Sequence, residues 1–187
     1  MAGLATSTHQ PAAASRRSLR AYASSGAFLR PPSGSKAYFT EDHFSGGRPL
    51  SPADVAAARA AGAQFGVSSG ATERLLDACE SADLPILPGA ATASEAMALL
   101  ERGYSVQKFF PAEAAGGAKV LKSLASALPQ ITFCPTGGVS PANAPDYLAL
   151  PNVACVGGSW VAPDALIAAG DWDGIERLAR AAAALPR

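Results

Sequence analysis

Apolar positions in this chain come in short runs divided by polar or glycine-rich breaks, and their period alternates between helix-like and strand-like. Order begins at Leu50. Ser51-Pro52-Ala53-Asp54 combines an N-cap serine, a proline at the first helical position and an acid in the first turn, and Gly62 closes that helix. Gln64 to Ser69 reads as a strand. Thr72 to Ala82 reads as a helix with Leu75, Leu76 and Cys79 on one face, followed by a strand from Leu84 to Gly89. Thr92-Ala93-Ser94-Glu95 is a capping box that opens a helix through Leu100, with Gly103 as its stop. Val106, Phe109 and Phe110 favour a strand, which Pro111 ends. Ala118 to Leu128 is a helix with Val120, Leu121 and Leu124 inward. Ile131 to Pro135 is a strand, Ser140-Pro141 caps a helix running to Leu148, and Val153 to Val156 is a strand. Asp173 or Gly174 opens a last helix with Ile175, Leu178 and Ala182 towards the core.

Strands therefore start near residues 64, 85, 105, 131 and 153, with helices between. That repeat predicts βα units and a parallel α/β sheet, its strands covered by helices on the outer face. A (βα)8 barrel and a doubly wound sheet both fit. The turns after the last two strands, Thr136-Gly137-Gly138 and Gly157-Gly158-Ser159, favour the barrel. In such barrels the loops after the final strands often bind phosphate through backbone N–H groups, and glycine permits the close approach. The plainer reading of each pair of glycines is a tight turn.

Residues 1–48 break the pattern. They are rich in Ala, Ser, Arg, Gly and Pro and keep neither period. A disordered leader, an organelle transit peptide and an out-of-frame translation of GC-rich DNA all give this composition. The expected organisation is thus a disordered or non-homologous leader over 1–48, and a barrel portion over 49–187 holding about five βα units.

Charge refines this. The formal net charge is zero, which gives no general attraction to nucleic acid or to an anionic membrane. Residues 1–40 carry five Arg/Lys and no acid, and the remainder carries ten Arg/Lys against fifteen Asp/Glu. No apolar run reaches membrane-spanning length. Cys79, Cys134 and Cys155 form no CxxC or zinc spacing, which suggests buried thiols in a reducing compartment, the cytosol. The two histidines, His9 and His43, both precede the patterned region. A Ser-His-Asp or Cys-His centre in the main domain is excluded, and a histidine-ligated metal is not expected.

One lysine stands out. Of four lysines, Lys36 is in the loose N-terminal region, and Lys119 and Lys122 lie three apart on a helix. Lys108 alone lies in an apolar strand. Desolvation lowers a lysine's pKa and makes its amine a nucleophile for carbonyl carbon. The competing reading is a strand-end lysine that snorkels to solvent.

The lysine strand and the glycine turns together carry a family resemblance. Lys108-Phe109-Phe110-Pro111-Ala112-Glu113, Phe133-Cys134-Pro135-Thr136-Gly137-Gly138-Val139-Ser140-Pro141-Ala142-Asn143, Gly157-Gly158-Ser159-Trp160 and Gly62-Ala63-Gln64-Phe65 are the motifs. From Leu50 to Ala184 the chain resembles 2-keto-3-deoxy-6-phosphogluconate (KDPG) aldolase, in the group that also cleaves 4-hydroxy-2-oxoglutarate. The resemblance implies a homotrimeric (βα)8 barrel with class I aldolase activity and no metal or other cofactor. It places Lys108 at the Schiff-base position, Phe110 against the pyruvyl part and Thr136 at the pyruvyl carboxylate region. It puts Gly137, Gly138, Gly158 and Ser159 on the phosphate-binding turns. The implied partner is a phosphorylated keto-deoxy sugar acid.

Departures from the family pattern shape the expectation further. The family's acid–base glutamate lies on an upstream strand with no counterpart here, and the matching motifs start abruptly at Leu50, which favours the out-of-frame reading of 1–48. Ser69 stands where proline is usual, and Gln107 where an apolar residue is usual. Glu113 is the one carboxylate near the lysine by sequence and so a possible acid or base; its plainer reading is a helix-start glutamate. The competing functions are an inactive truncated aldolase and a non-catalytic phosphate or sugar-acid binder.

Overall fold

The computed structural model describes residues 49–63 and 65–186; the segment 1–48, read above as a leader, lies outside them. Helix α1 (Pro52–Ala60) starts as its sequence dictates, with Ser51 extended and its hydroxyl accepting the Asp54 N–H. Asp54 in turn accepts the Leu50 N–H and the Ser51 hydroxyl, both at 2.9 Å. Then come β1 (Gly66–Val67), α2 (Glu73–Ser81), β2 (Ile86–Leu87), β3 (Gly89–Ala90) and α3 (Ala93–Glu101), whose Thr92–Glu95 capping box is complete. The chain continues with β4 (Val106–Phe109), α4 (Gly117–Ala127), β5 (Thr132–Pro135) and α5 (Ala144–Leu148). A 3-10 turn (Ser159–Val161), α6 (Asp164–Ala169) and α7 (Trp172–Ala183) complete it.

Strand order decides between the two architectures. β1 pairs with β2, β3 with β4 and β4 with β5, all parallel. β2 and β3 are halves of one extended segment divided at Pro88, which has no N–H to give a ladder. Its carbonyl still accepts the Lys108 N–H at 2.8 Å. Beyond β5, parallel bridges join Phe133 to Val153 and Thr136 to Gly157. Each strand thus neighbours the next one in the chain. A doubly wound sheet reverses direction at a switch point, whereas the wall of a barrel does not. The described residues form an α/β arc of parallel strands in chain order, the arrangement of a barrel wall.

Several element boundaries differ from the sequence reading. The helix expected from Ser140 begins at Ala144, because Asn143 Oδ1 accepts the Ser140 N–H at 2.7 Å and holds residues 140–143 in a turn. Among the described residues, the strand expected over 153–156 pairs with the β5 segment through two isolated bridges. The last helix starts at Trp172, capped by Asp171, whose carboxylate accepts the Gly174 N–H. Helix α6 carries too short an apolar pattern to have been anticipated.

The core fills the space between sheet and helices. Leu76, Ala96, Leu99, Phe109, Leu121, Ile131, Phe133 and Tyr147 form its main cluster. Phe109 and Phe133, on neighbouring strands, meet edge to face with centroids 6.0 Å apart. A second cluster of Val55, Ala58, Leu75, Cys79 and Leu84 joins α1 to α2. Side chains alternate across a strand, so Phe109 and Gln107 on the helix side put Lys108 on the opposite, inner face. Gln107 is fully buried, and its amide donates to the Ala96 and Tyr104 carbonyls, both at 2.9 Å. These bonds explain how a glutamine stands in an apolar layer.

Candidate active site

Lys108 lies near the C-terminal end of β4, in register with Gly89 on one side and Cys134 on the other. It is 6% exposed, so the snorkelling reading does not hold. Its Nζ stands 4.7 Å from the centroid of the Phe110 ring, within cation–π range. Gly89 is required beside it. A Cβ there would come within 2.3 Å of the Ser69 carbonyl carbon and oxygen, so the loop after β1 crosses directly over this strand. Ser69, the departure noted in the sequence, is the residue that makes the crossing.

The turn after β5 closes on the same ring. Thr136 is buried, and its N–H donates to the Phe109 carbonyl at 3.0 Å. Gly137, at φ +96, lies close against the ring; a Cβ would lie 3.1 Å from Phe110 ring atoms. Gly157 lies over Thr136, with a Cβ position 2.9 Å from Oγ1, and Gly158 lies under the Trp160 indole. Lys108, Phe110, Thr136 and Gly137 are thus one contiguous group. Gly158 and Ser159 follow at the end of the neighbouring segment. All sit at the C-terminal ends of parallel strands, the end that carries active sites in barrels.

Glu113 is placed differently. Its carboxylate accepts a short hydrogen bond from the hydroxyl of Tyr147, on α5. Its Cβ and Cγ lie 2.7 Å from where a Gly138 Cβ would be. Gly137 therefore faces Phe110, and Gly138 faces Glu113. Burial, and then the Glu113 carboxylate, push the Tyr147 hydroxyl pKa well above the usual tyrosine range. Nor does Glu113 open a helix, since α4 starts four residues later.

Cys134 belongs to the inner group, which the sequence reading treated only as a buried thiol. Its pKa is pushed up by a hydrogen bond with Cys155 and by burial, against the opposing pull of Lys108 and Thr136. The signal that locates it is its register with the lysine. Tyr147 had no such signal. Among the described residues, no group of three His, Cys, Asp or Glu side chains could hold a metal, and no helix is long and apolar enough to cross a membrane.

The chain matches a family model described as KDPG and KHG aldolase over residues 40–178, a span that starts upstream of Leu50. It is 51% identical over 130 residues to 2-dehydro-3-deoxy-phosphogluconate aldolase of Pseudoalteromonas atlantica, covering 70% of this chain and 60% of that one. It is 50% identical over 136 residues to KHG/KDPG aldolase of Escherichia coli, covering 73% and 64%. The chain thus spans about three fifths of the length of these curated relatives. Among solved structures, it resembles a KDPG aldolase from Legionella pneumophila with pyruvate captured as a covalent carbinolamine intermediate. The TM-score is 0.69 at 46% identity, covering 71% of this chain and 65% of that one. It also resembles the aldolase of Zymomonas mobilis with 3-phosphoglycerate, at TM-score 0.69 and 42% identity, covering 75% and 66%. A buried lysine between glycine turns, on strands that run in chain order, and a family match across most of the sequence lead to one assignment: this chain belongs to the KDPG and KHG aldolase family.

Proposed function

We propose that the whole protein is a class I aldolase that cleaves 2-keto-3-deoxy-6-phosphogluconate to pyruvate and glyceraldehyde 3-phosphate, or 4-hydroxy-2-oxoglutarate to pyruvate and glyoxylate. The observation that carries this reading is Lys108, buried on the inner face with its amine over Phe110 and beside the Thr136 turn. Its neutral amine adds to the keto carbon to give a carbinolamine, and loss of water leaves an iminium. The iminium withdraws the electron pair of the C3–C4 bond as the C4 hydroxyl loses its proton. The aldehyde departs, an enamine of pyruvate remains, and protonation at C3 followed by hydrolysis frees pyruvate and the lysine. Phe110 packs on the pyruvyl part and Thr136 meets its carboxylate. Gly137, Gly138, Gly158 and Ser159 offer backbone N–H groups to the phosphate. The covalent pyruvate in the Legionella relative and the phosphorylated acid in the Zymomonas relative accord with these roles.

Homotrimeric assembly and a cytosolic location belong to the same proposal; they rest on the resemblance and on three free cysteines. Incubation with pyruvate and borohydride, followed by peptide mass mapping, tests the first step. Labelling at Lys108 with turnover of the phosphorylated sugar acid supports the aldolase. An unlabelled Lys108, or labelling without turnover in the whole protein, overturns it.

A further inference from the structure

Three consecutive carbonyls of the turn after β5 are held from behind. The Thr136 carbonyl accepts the Ala112 N–H at 2.8 Å, and the Gly137 carbonyl accepts the Glu113 N–H at 3.0 Å. The Gly138 carbonyl accepts the Asn143 side-chain amide at 3.1 Å. In a trans peptide the N–H points opposite to the C=O of the same plane. The one cis bond among the described residues is Phe110–Pro111, so the three planes of this turn are trans. Fixing the carbonyls on one side therefore aims the N–H groups of Gly137, Gly138 and Val139 to the other. Both glycines take positive φ, +96° and +81°, a conformation open to glycine that lets a ligand approach the turn closely.

What fixes the rear of the turn is Glu113. Its backbone N–H supplies one of the three bonds, and its Cβ and Cγ fill the space a Gly138 side chain would take. Its own orientation is set by the Tyr147 hydroxyl, from a side chain only 1% exposed. We propose that Glu113 and Tyr147 are positioning residues for the phosphate end of the substrate, locking the Gly137–Gly138 turn so that its N–H groups stay aimed at the anion. This rests on the reading of that turn as a phosphate site. It assigns Glu113 a role in substrate affinity rather than in proton transfer.

The test separates the two ends of the site in the full chain. Binding of inorganic phosphate is followed by calorimetry, and pyruvate–borohydride labelling of Lys108 is followed by mass spectrometry. Thermal unfolding of each variant is recorded alongside. Glu113→Ala and Tyr147→Phe are expected to weaken phosphate binding by about tenfold, while labelling stays within about twofold of the parent. Glu113→Gln, which still accepts from Tyr147, is expected to restore phosphate binding to within about twofold. Should Glu113→Ala fail to fold, Tyr147→Phe, which keeps the buried ring, carries the test. The proposal is overturned if phosphate binding is unchanged in both variants, if it falls together with labelling, if Glu113→Gln fails to rescue it, or if the parent binds no phosphate. Loss of labelling in the parent with the phosphate pattern intact would instead overturn the Schiff-base reading alone.

Discussion

Lys108 sits directly across the β4–β5 ladder from Cys134, the amine-bearing residue and a fully buried thiol paired in register on the inner face of the sheet. The Phe110 ring lies 4.7 Å from its amine, and Gly89 pairs with it on the other side.

Replacing the lysine separates charge from nucleophilicity. Arginine keeps a cation but does not deprotonate in proteins, and methionine keeps length without charge. Both Lys108→Arg and Lys108→Met are expected to abolish pyruvate–borohydride labelling. Peptide mass spectrometry of the two treated variants checks this, and labelling retained in either would exclude Lys108 as the nucleophile.

Two glycines with similar backbone angles separate conformation from crowding. Gly62, at φ +84, has nothing within 4 Å of a Cβ position, whereas Gly138, at φ +81, has the Glu113 Cβ and Cγ at 2.7 Å. Gly62→Ala is expected to cost about 1–2 kcal/mol, the left-handed penalty alone. Gly138→Ala adds overpacking, for a total of about 2–5 kcal/mol. Urea unfolding of the two variants gives the difference.

Leu121 on α4 is fully buried in the main cluster, and Leu50 is 70% exposed. Leu121→Ala leaves a cavity and is expected to lose about 2–5 kcal/mol. Leu50→Ala is expected to change stability by less than about 0.5 kcal/mol. A Leu121→Ala variant as stable as Leu50→Ala would mean that α4 does not pack as described.

Glu95 gives a pH signature. The Ala91 and Thr92 N–H groups and the Thr92 hydroxyl all donate to its carboxylate, and they hold its pKa below the usual 4.5. A depressed carboxylate stabilises the fold above its unfolded pKa, and that contribution fades as pH falls through the lower folded value. The parent is therefore expected to melt above Glu95→Ala at neutral pH, with the gap narrowing as pH falls below about 4.5. A gap independent of pH would assign the effect to packing.

Local chemistry was enough for much of this protein. Ser51 and the Thr92–Glu95 box cap their helices as the sequence states, because a cap involves groups only three residues apart. Lys108 was legible as a site candidate because an amine in an apolar strand is costly and therefore informative. The chain order of the strands was not legible, since equal spacing suits a barrel and a doubly wound sheet alike; hydrogen bonds between residues about twenty apart decided it. The bridges from Phe133 to Val153 and from Thr136 to Gly157 likewise join residues about twenty apart, which local pattern does not specify. Glu113 makes the same point at the site. Its place beside the lysine motif allowed an acid, a base or a helix-start glutamate; the fold bonds its carboxylate to Tyr147, 34 residues away, and sets its Cβ and Cγ against Gly138. A side chain's partner across such a distance is set by how helices pack on the sheet, and periodicity along the chain carries no record of that.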